Sequence, residues 1–173
     1  ARDGWIMKQV YDKLYDDIPS EYVYLSRNAA LKLTCDYNRY DLLRQFVERR
    51  IDSEKPYTFR EILISMELEH LMPSLEGNGI YGETLLDTKE KVQEVKELLL
   101  SKWDQIRNAY QSSKEAFRQY MEPILAGCSH VAAVDTGWRG TCPASLKYMI
   151  ETMWKKDCRV TGMMMGSCKY KWN

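Results

Sequence analysis

One loop of this chain combines a carboxylate, a guanidinium, a hydroxyl and two glycines. These residues are, in order, Asp135, Gly137, Arg139, Gly140 and Thr141. A guanidinium pairs with phosphate in a bidentate geometry, and the backbone N–H groups of a glycine-containing loop before a helix favour anions. The pattern therefore predicts a phosphate site, in which Asp135 would bind a hydroxyl, a ribose or a metal-bound water.

A purely structural interpretation fits the same residues. Asp135 would then cap the turn, the glycines would supply positive φ angles, and Thr141 would be the N-cap of the next helix. Arg139 favours anion binding over this alternative, because its guanidinium matches a phosphate group.

Three predicted elements position this loop. A valine-rich run from Val131 to Asp135 is typical of a buried strand, and an amphipathic helix is predicted from Ala144 to about Trp154. A second β-like run follows from Arg159 to Met165. This order predicts a β-loop-α-β unit with parallel strands, and open α/β sheets bind ligands beyond the carboxyl ends of such strands.

Two further loops are predicted at the same edge of the sheet. One precedes a helix from Trp5 to Tyr15, and the other follows a β-favouring run from Glu21 to Leu25. If the charged residues of these loops converge on the first loop, some of those charges would be buried without partners unless a ligand is bound. Burying an unpaired charge is unfavourable, so convergence would indicate a ligand site. We therefore predict Asp3 and Asp135 as catalytic carboxylates. The predicted phosphate- or ligand-binding residues are Arg2, Ser26, Arg27, Gly137, Arg139, Gly140 and Thr141.

The middle of the chain has helical periodicity throughout. It contains a capping box at Thr58 and a long charged helical stretch from about Thr88 to Met121. We predict an α/β sheet domain from residues 1–28 and 122–173, with an all-helical insertion over residues 29–121. The predicted fold class is α/β, with a small, mostly parallel Rossmann-like sheet and a large helical insertion that forms a lid.

The start of the chain suggests that a strand has been removed. An Asp3-Gly4 turn that launches a helix normally follows a strand, and here none precedes it. The sheet domain is therefore predicted to be truncated at its N-terminal strand.

Composition excludes several classes of function. The 173 residues carry a formal net charge of zero, so there is no basic field to hold a nucleic acid. No run of about eighteen apolar residues predicts a membrane span, and no signal peptide opens the chain. The five cysteines form no C-x-x-C pair, which favours free thiols in a reducing cytoplasm.

Metal and thiol chemistry are predicted only weakly. The two histidines, His70 and His130, lie far apart in sequence, so no metal site is predicted; the cofactor stays open, with Mg²⁺ as a candidate. Cys142 lies in the first turn of a predicted helix, a position that lowers the pKa of a thiol. A Cys142-His130-Asp135 triad is disfavoured, because about 16 Å of extended chain separates the last two.

Three phrases carry a family resemblance. They are Ala1-Arg2-Asp3-Gly4-Trp5, Tyr22-Val23-Tyr24-Leu25-Ser26-Arg27, and Val134-Asp135-Thr136-Gly137-Trp138-Arg139-Gly140-Thr141. In this order they resemble the region that follows the hydrolase domain in large bacterial proteins of the haloacid dehalogenase superfamily. The resemblance implies a cytoplasmic protein linked to surface-polysaccharide biosynthesis and glycosyltransferases. It also implies a hydrolase domain in the parent chain, and a phosphorylated sugar or nucleotide sugar as ligand.

The resemblance carries no reaction with it. The superfamily signature D-x-D-x-T is absent, because Asp135-Thr136-Gly137 lacks the second aspartate. A partial likeness to phosphoribosyltransferases, which place a T-G-x-T loop after acidic residues, also predicts a phosphosugar at the loop. A non-catalytic scaffold, whose helical insertion binds a protein partner, is the remaining alternative.

Overall fold

The structure is a computed structural model that describes residues 2–50, 55–137 and 139–166, with the side chain of Arg2 outside this description. It is a mixed α/β fold, 57% helical, with a parallel sheet of two strands. None of the helices in the described ranges has the length and apolar character that a membrane span requires.

The elements follow the chain in this order. Helices α1 to α9 and strands β1 and β2 are α1 Arg2–Leu14, α2 Arg27–Leu33, α3 Arg39–Phe46, α4 Phe59–Ser65, α5 Met72–Leu75, α6 Lys89–Ser101, α7 Trp103–Ala109, α8 Gln111–Ile124, β1 His130–Asp135, α9 Thr141–Lys147 and β2 Arg159–Met164. A π-helical turn, Tyr148–Met153, continues α9, and two 3-10 turns lie at Glu48–Arg50 and Glu69–Leu71. The chain divides into two compact units, which are Ala1–Thr34 with Ala116–Asn173, and Cys35–Glu115.

The parallel pairing of β1 with β2 confirms the predicted β-loop-α-β unit. Val131 lies opposite Val160 in the register, and both side chains face a core that includes Met121, Leu125 and Ile150. A parallel pair needs a crossover between its strands, and α9 with its π-helical turn provides it. The predicted helix from Ala144 to Trp154 is confirmed in type, although it begins three residues earlier, at Thr141.

A glycine allows α9 to pack closely on the sheet. A Cβ atom on Gly162 of β2 would lie 2.9 Å from Cβ of Pro143 in α9. This is closer than two carbon atoms tolerate, so the close approach of helix and strand depends on glycine.

The prediction of a strand from Glu21 to Leu25 is wrong. This segment has no regular secondary structure and pairs with no strand among the described residues. Two of its backbone N–H groups form other hydrogen bonds instead. The Tyr24 N–H donates to the Tyr120 hydroxyl (3.2 Å), and the Leu25 N–H donates to the Val23 carbonyl (3.0 Å). β-Favouring composition alone was therefore not sufficient to form a strand here, because no neighbouring strand pairs with the segment.

The strands are also less buried than predicted. In β1, exposed residues alternate with half-buried ones, and Val134 is 57% exposed. Met163, Met164 and Met165, at the end of the second predicted β-like run, are all exposed. The core side of the sheet packs against α9 and against Met121 of α8, whereas Val134 and Met163 on the other side are exposed.

Two helix boundaries differ from prediction. The stretch from Thr88 to Met121 is not one long helix, because it is interrupted at Lys102 and at Tyr110. The first helix begins at Arg2, so Asp3 lies in its first turn rather than in a loop. The capping box at Thr58 is confirmed, with the Glu61 carboxylate accepting from the Thr58 N–H (2.8 Å).

Candidate functional site

The carboxylate of Asp135 forms a tight turn at the end of β1. Its Oδ1 accepts a hydrogen bond from the Gly137 N–H at 2.8 Å. A Cβ atom on Gly137 would lie 3.0 Å from Oδ2 of the same carboxylate, so a side chain at position 137 would crowd this turn. The structural role foreseen for Asp135 is therefore present, and Oδ2 accepts no hydrogen bond from any described residue.

The loop then enters α9 through a left-handed residue. Gly140 has φ +64° and is the N-cap of α9, so Thr141 is the first helical residue and not the cap. Gly137 is not among the glycines with positive φ. No side chain caps α9 within the described ranges, and its first turn holds no acidic residue. The N–H groups of this turn are thus free of the side-chain oxygen that usually accepts from them.

A second helix begins close to the same turn. Ser26 is the N-cap of α2, and its hydroxyl accepts from the Ala29 N–H (3.1 Å). The Cys142 thiol donates to the Leu25 carbonyl, with sulfur and oxygen 3.6 Å apart. The N-terminal turns of α2 and α9 are therefore neighbours in the same unit.

The pKa of the Cys142 thiol depends on its burial and on the charged residues near it. Burial raises the pKa of its thiol, the charge of Asp135 raises it further, and the charge of Arg27 lowers it. The prediction that the helix start lowers the pKa of this thiol is wrong, because desolvation is the largest cause. Asp135 and Arg27 therefore both lie within electrostatic range of Cys142.

The two arginines of the predicted site lack charged partners in the described part of the chain. Arg27 is half-buried at the first position of α2, and Arg139 is exposed in the loop. Neither forms an ion pair with a described residue. Arg39 and Arg107, by contrast, have described partners in the second unit.

For the remaining predicted residues, the described part of the chain shows no direct contact with this turn. Asp3 is exposed in the first turn of α1, and no contact joins it to the Asp135 loop within the described residues. α1 is held to Tyr22 by an edge-on contact with Trp5, at 5.9 Å between ring centroids. The side chain of Arg2 and all of Trp138 lie outside the described residues.

The site offers few ligands for a metal. No group of three or more His, Cys, Asp or Glu side chains in the described residues is arranged to hold an ion. His130 is engaged with Thr161, through Nε2 and Oγ1 at 2.8 Å. Cys35, Cys128, Cys142 and Cys158 are free thiols, and Cys168 lies outside the described residues.

The second unit contains a cleft that sequence patterns did not indicate. It has a volume of about 460 Å³, and its lining includes Asp36, Arg39, Trp103, Asp104 and Arg107. Its charges neutralise one another: Arg107 pairs with Asp104 at 3.1 Å, and Asp36 pairs with Lys114 at 2.6 Å. The sequence offered little indication of this cleft, because its lining residues come from two segments about sixty residues apart.

Fold and site together define a mixed α/β protein with a parallel β-loop-α-β unit and a polar turn at its strand end. Comparisons with protein-family models, curated proteins and solved structures found no match to this chain.

Proposed function

We propose that the first unit binds a phosphorylated sugar or nucleotide sugar at the loop between β1 and α9. The observation that carries this proposal is the N-terminus of α9, which no described side chain caps. Arg139 lies in the loop just before α9, and Arg27 is the first residue of the neighbouring helix α2. Helix N-termini and guanidinium groups both favour phosphate. The N–H groups after Gly140 and the guanidinium groups of Arg139 and Arg27 would hold the phosphate.

The sugar would be recognised by Asp135. Its Oδ1 is committed to the Gly137 N–H, which fixes the carboxylate and leaves Oδ2 to accept from a sugar hydroxyl. A fixed acceptor favours ligands that carry the hydroxyl, because without it the half-buried carboxylate oxygen would lose a hydrogen-bond partner. Ser26 and Thr141 supply two further hydroxyl groups on the adjoining helix starts.

The wider context of the proposal comes from the family resemblance. We propose a cytoplasmic bacterial protein of surface-polysaccharide biosynthesis, in which this segment accompanies a hydrolase domain of the haloacid dehalogenase type. The two strands would belong to a larger Rossmann-like sheet with the helical insertion at residues 29–121. Asp3 and Asp135 are the carboxylates proposed for catalysis, and no step is assigned to either.

Calorimetric titration tests the ligand assignment. The probes are inorganic phosphate, glucose 1-phosphate and UDP-glucose, each added to the whole chain and to three variants. Arg139→Ala and Arg27→Ala should each weaken binding about tenfold, because a charge-assisted hydrogen bond contributes about 1.5–3 kcal/mol. The matched control is Arg159→Ala, which removes an exposed arginine from the opposite end of the sheet.

Two results would overturn the proposal. One is the absence of heat for all three probes at millimolar concentration. The other is an equal loss of affinity in Arg139→Ala and Arg159→Ala, which would assign binding to general charge rather than to this loop.

A further inference from the structure

The cleft of the second unit contains a cation without an acidic partner. Arg107 of this cleft pairs with Asp104, and Asp36 pairs with Lys114. Arg39 lines the same cleft, yet no hydrogen bond or ion pair joins its guanidinium to another residue of the described ranges. Because an arginine carries five N–H donors and no acceptor, these donors are open to a negatively charged ligand.

Two aromatic rings hold the Arg39 side chain in place. Its Cζ lies over the ring of Trp103, 5.6 Å from the centroid, and over the ring of Tyr40 at 5.8 Å. A cation above an aromatic ring is attracted by the negative face of the ring. Trp103 is only 8% exposed, so it is a fixed support for the guanidinium. Arg39 is therefore restrained before a ligand binds, which lowers the entropic cost of binding.

The charges around the cleft favour a ligand with a single negative charge. The lining and the lysine paired with it contribute three cations and two carboxylates, so one positive charge is left over. The cations are Arg39, Arg107 and Lys114, and the carboxylates are Asp36 and Asp104. Each carboxylate already lies beside a cation, at 2.6 Å for Asp36 and 3.1 Å for Asp104, which reduces its repulsion of an anion. A dianion would bring one negative charge more than the cleft can neutralise.

We propose that this cleft binds a small organic monocarboxylate, whose carboxylate accepts hydrogen bonds from the Arg39 guanidinium. The planar fork of an arginine matches a carboxylate in a bidentate geometry. The cleft volume of about 460 Å³ lies in the range of pockets that hold small molecules. The organic part of the ligand lies against Leu100 and Trp103, which are the apolar members of the lining.

This inference is independent of the proposed sugar phosphate site. Every residue that lines the cleft belongs to Cys35–Glu115, whereas the loop between β1 and α9 belongs to the other unit. Loss of either site therefore leaves the argument for the other unchanged.

NMR titration of the whole chain with benzoate tests the proposal. The Nε–H signal of each arginine side chain reports hydrogen bonding by its guanidinium. Saturating benzoate should move the Arg39 signal downfield and leave that of Arg159, an exposed arginine of the first unit, in place. Benzamide has the shape of benzoate without its charge and should bind at least tenfold more weakly. Phenyl phosphate, a dianion at neutral pH, should bind no more tightly than benzoate.

Three variants separate the guanidinium from charge in general. Arg39→Gln removes the cation and should weaken benzoate binding at least tenfold. Arg39→Lys keeps the charge but not the planar fork, so it should restore only part of the lost affinity. The matched control is Arg44→Gln on the same helix, α3; Arg44 pairs with Asp41 and does not line the cleft, so benzoate affinity should be unchanged. Circular dichroism checks that each variant is folded.

Four results would overturn the proposal. The first is an unmoved Arg39 signal with benzoate at tens of millimolar, and the second is equal affinity of the native chain for benzoate and benzamide. Neither of these depends on a variant. The third is equal loss of affinity in Arg39→Gln and Arg44→Gln, which would assign binding to general charge. The fourth is tighter binding of phenyl phosphate than of benzoate, which would assign the cleft to a phosphate group.

Discussion

Oδ1 of Asp135 and the backbone nitrogen of Gly137 are 2.8 Å apart, so one carboxylate oxygen fixes the turn while the other has no described partner. The turn and the proposed recognition of a sugar hydroxyl therefore depend on different oxygen atoms of one side chain. An asparagine at position 135 keeps an acceptor for the turn but loses the negative charge.

We expect Asp135→Asn to retain stability and Asp135→Ala to lose about 1 kcal/mol of unfolding free energy in urea titrations. In binding, Asp135→Asn should raise the affinity for inorganic phosphate, because a repelling charge is gone. Its preference for glucose 1-phosphate over phosphate should fall. An unchanged preference would show that the free oxygen does not recognise the sugar.

Alkylation of Cys142 tests whether Arg27 and Asp135 lie near this thiol. Burial and the Asp135 charge raise its pKa, so iodoacetamide should modify it more slowly in the folded chain than in urea at the same pH. Arg27→Ala should slow the reaction further, since its cation lowers the pKa, and Asp135→Asn should accelerate it. Peptide mass spectrometry follows Cys142 separately. Opposite changes in the two variants would contradict this arrangement.

Acid should weaken the hydrogen bond that Oε1 of Glu151 accepts from the Val160 N–H of β2 at 2.7 Å. The hydrogen bond from Lys147 and then that from the Val160 N–H lower the pKa of Glu151 from 4.5. A carboxyl with a lowered folded pKa stabilises the fold above 4.5, and this contribution disappears as the pH falls through the folded value. The stability difference between the native chain and Glu151→Gln should therefore shrink on acidification below 4.5.

The control for this experiment is Glu90→Gln, in the first turn of α6, for which no ion pair or hydrogen bond is found in the described ranges. Its difference from the native chain should stay constant over the same pH range. A constant difference for Glu151→Gln as well would mean that its hydrogen bonds do not favour the ionised form.

Gly162 tests the close packing of α9 on the sheet. Gly162→Ala should destabilise the first unit by about 1–3 kcal/mol, because the new Cβ would meet Cβ of Pro143 at 2.9 Å. Thr161→Ala, at the neighbouring position, is the control and should cost less. Thermal unfolding of both variants measures the difference, and equal costs would mean that helix and strand move apart freely.

The ion pair between Lys114 and Asp36 should respond unequally to loss of each partner. Nζ of Lys114 lies 2.6 Å from Oδ2 of Asp36, and the lysine side chain is 6% exposed against 32% for the aspartate. Asp36→Ala strands a buried cation and should cost about 3–5 kcal/mol. Lys114→Met leaves a carboxylate that water reaches and should cost less. Chemical denaturation of the two variants measures both costs, and the reverse order would contradict the burial argument.

Local patterns in the sequence determined much of the secondary structure. The valine-rich run, the amphipathic helix and the second β-like run are present as β1, α9 and β2, because hydrophobic periodicity reports which side of each element is buried. The capping box at Thr58 was equally predictable, since its two hydrogen bonds lie within four consecutive residues.

Long-range pairing was decided by tertiary structure alone. The segment from Glu21 to Leu25 has strand-forming composition, yet the Tyr120 hydroxyl, about a hundred residues away, accepts from the Tyr24 N–H. The Cys142 pKa was predicted in the wrong direction, because the sequence shows a helix start but not the burial that outweighs it. Hydrophobic periodicity predicts the type of each local element. Strand pairing and the desolvation of a side chain depend on residues that are distant in sequence and become neighbours only in the folded chain.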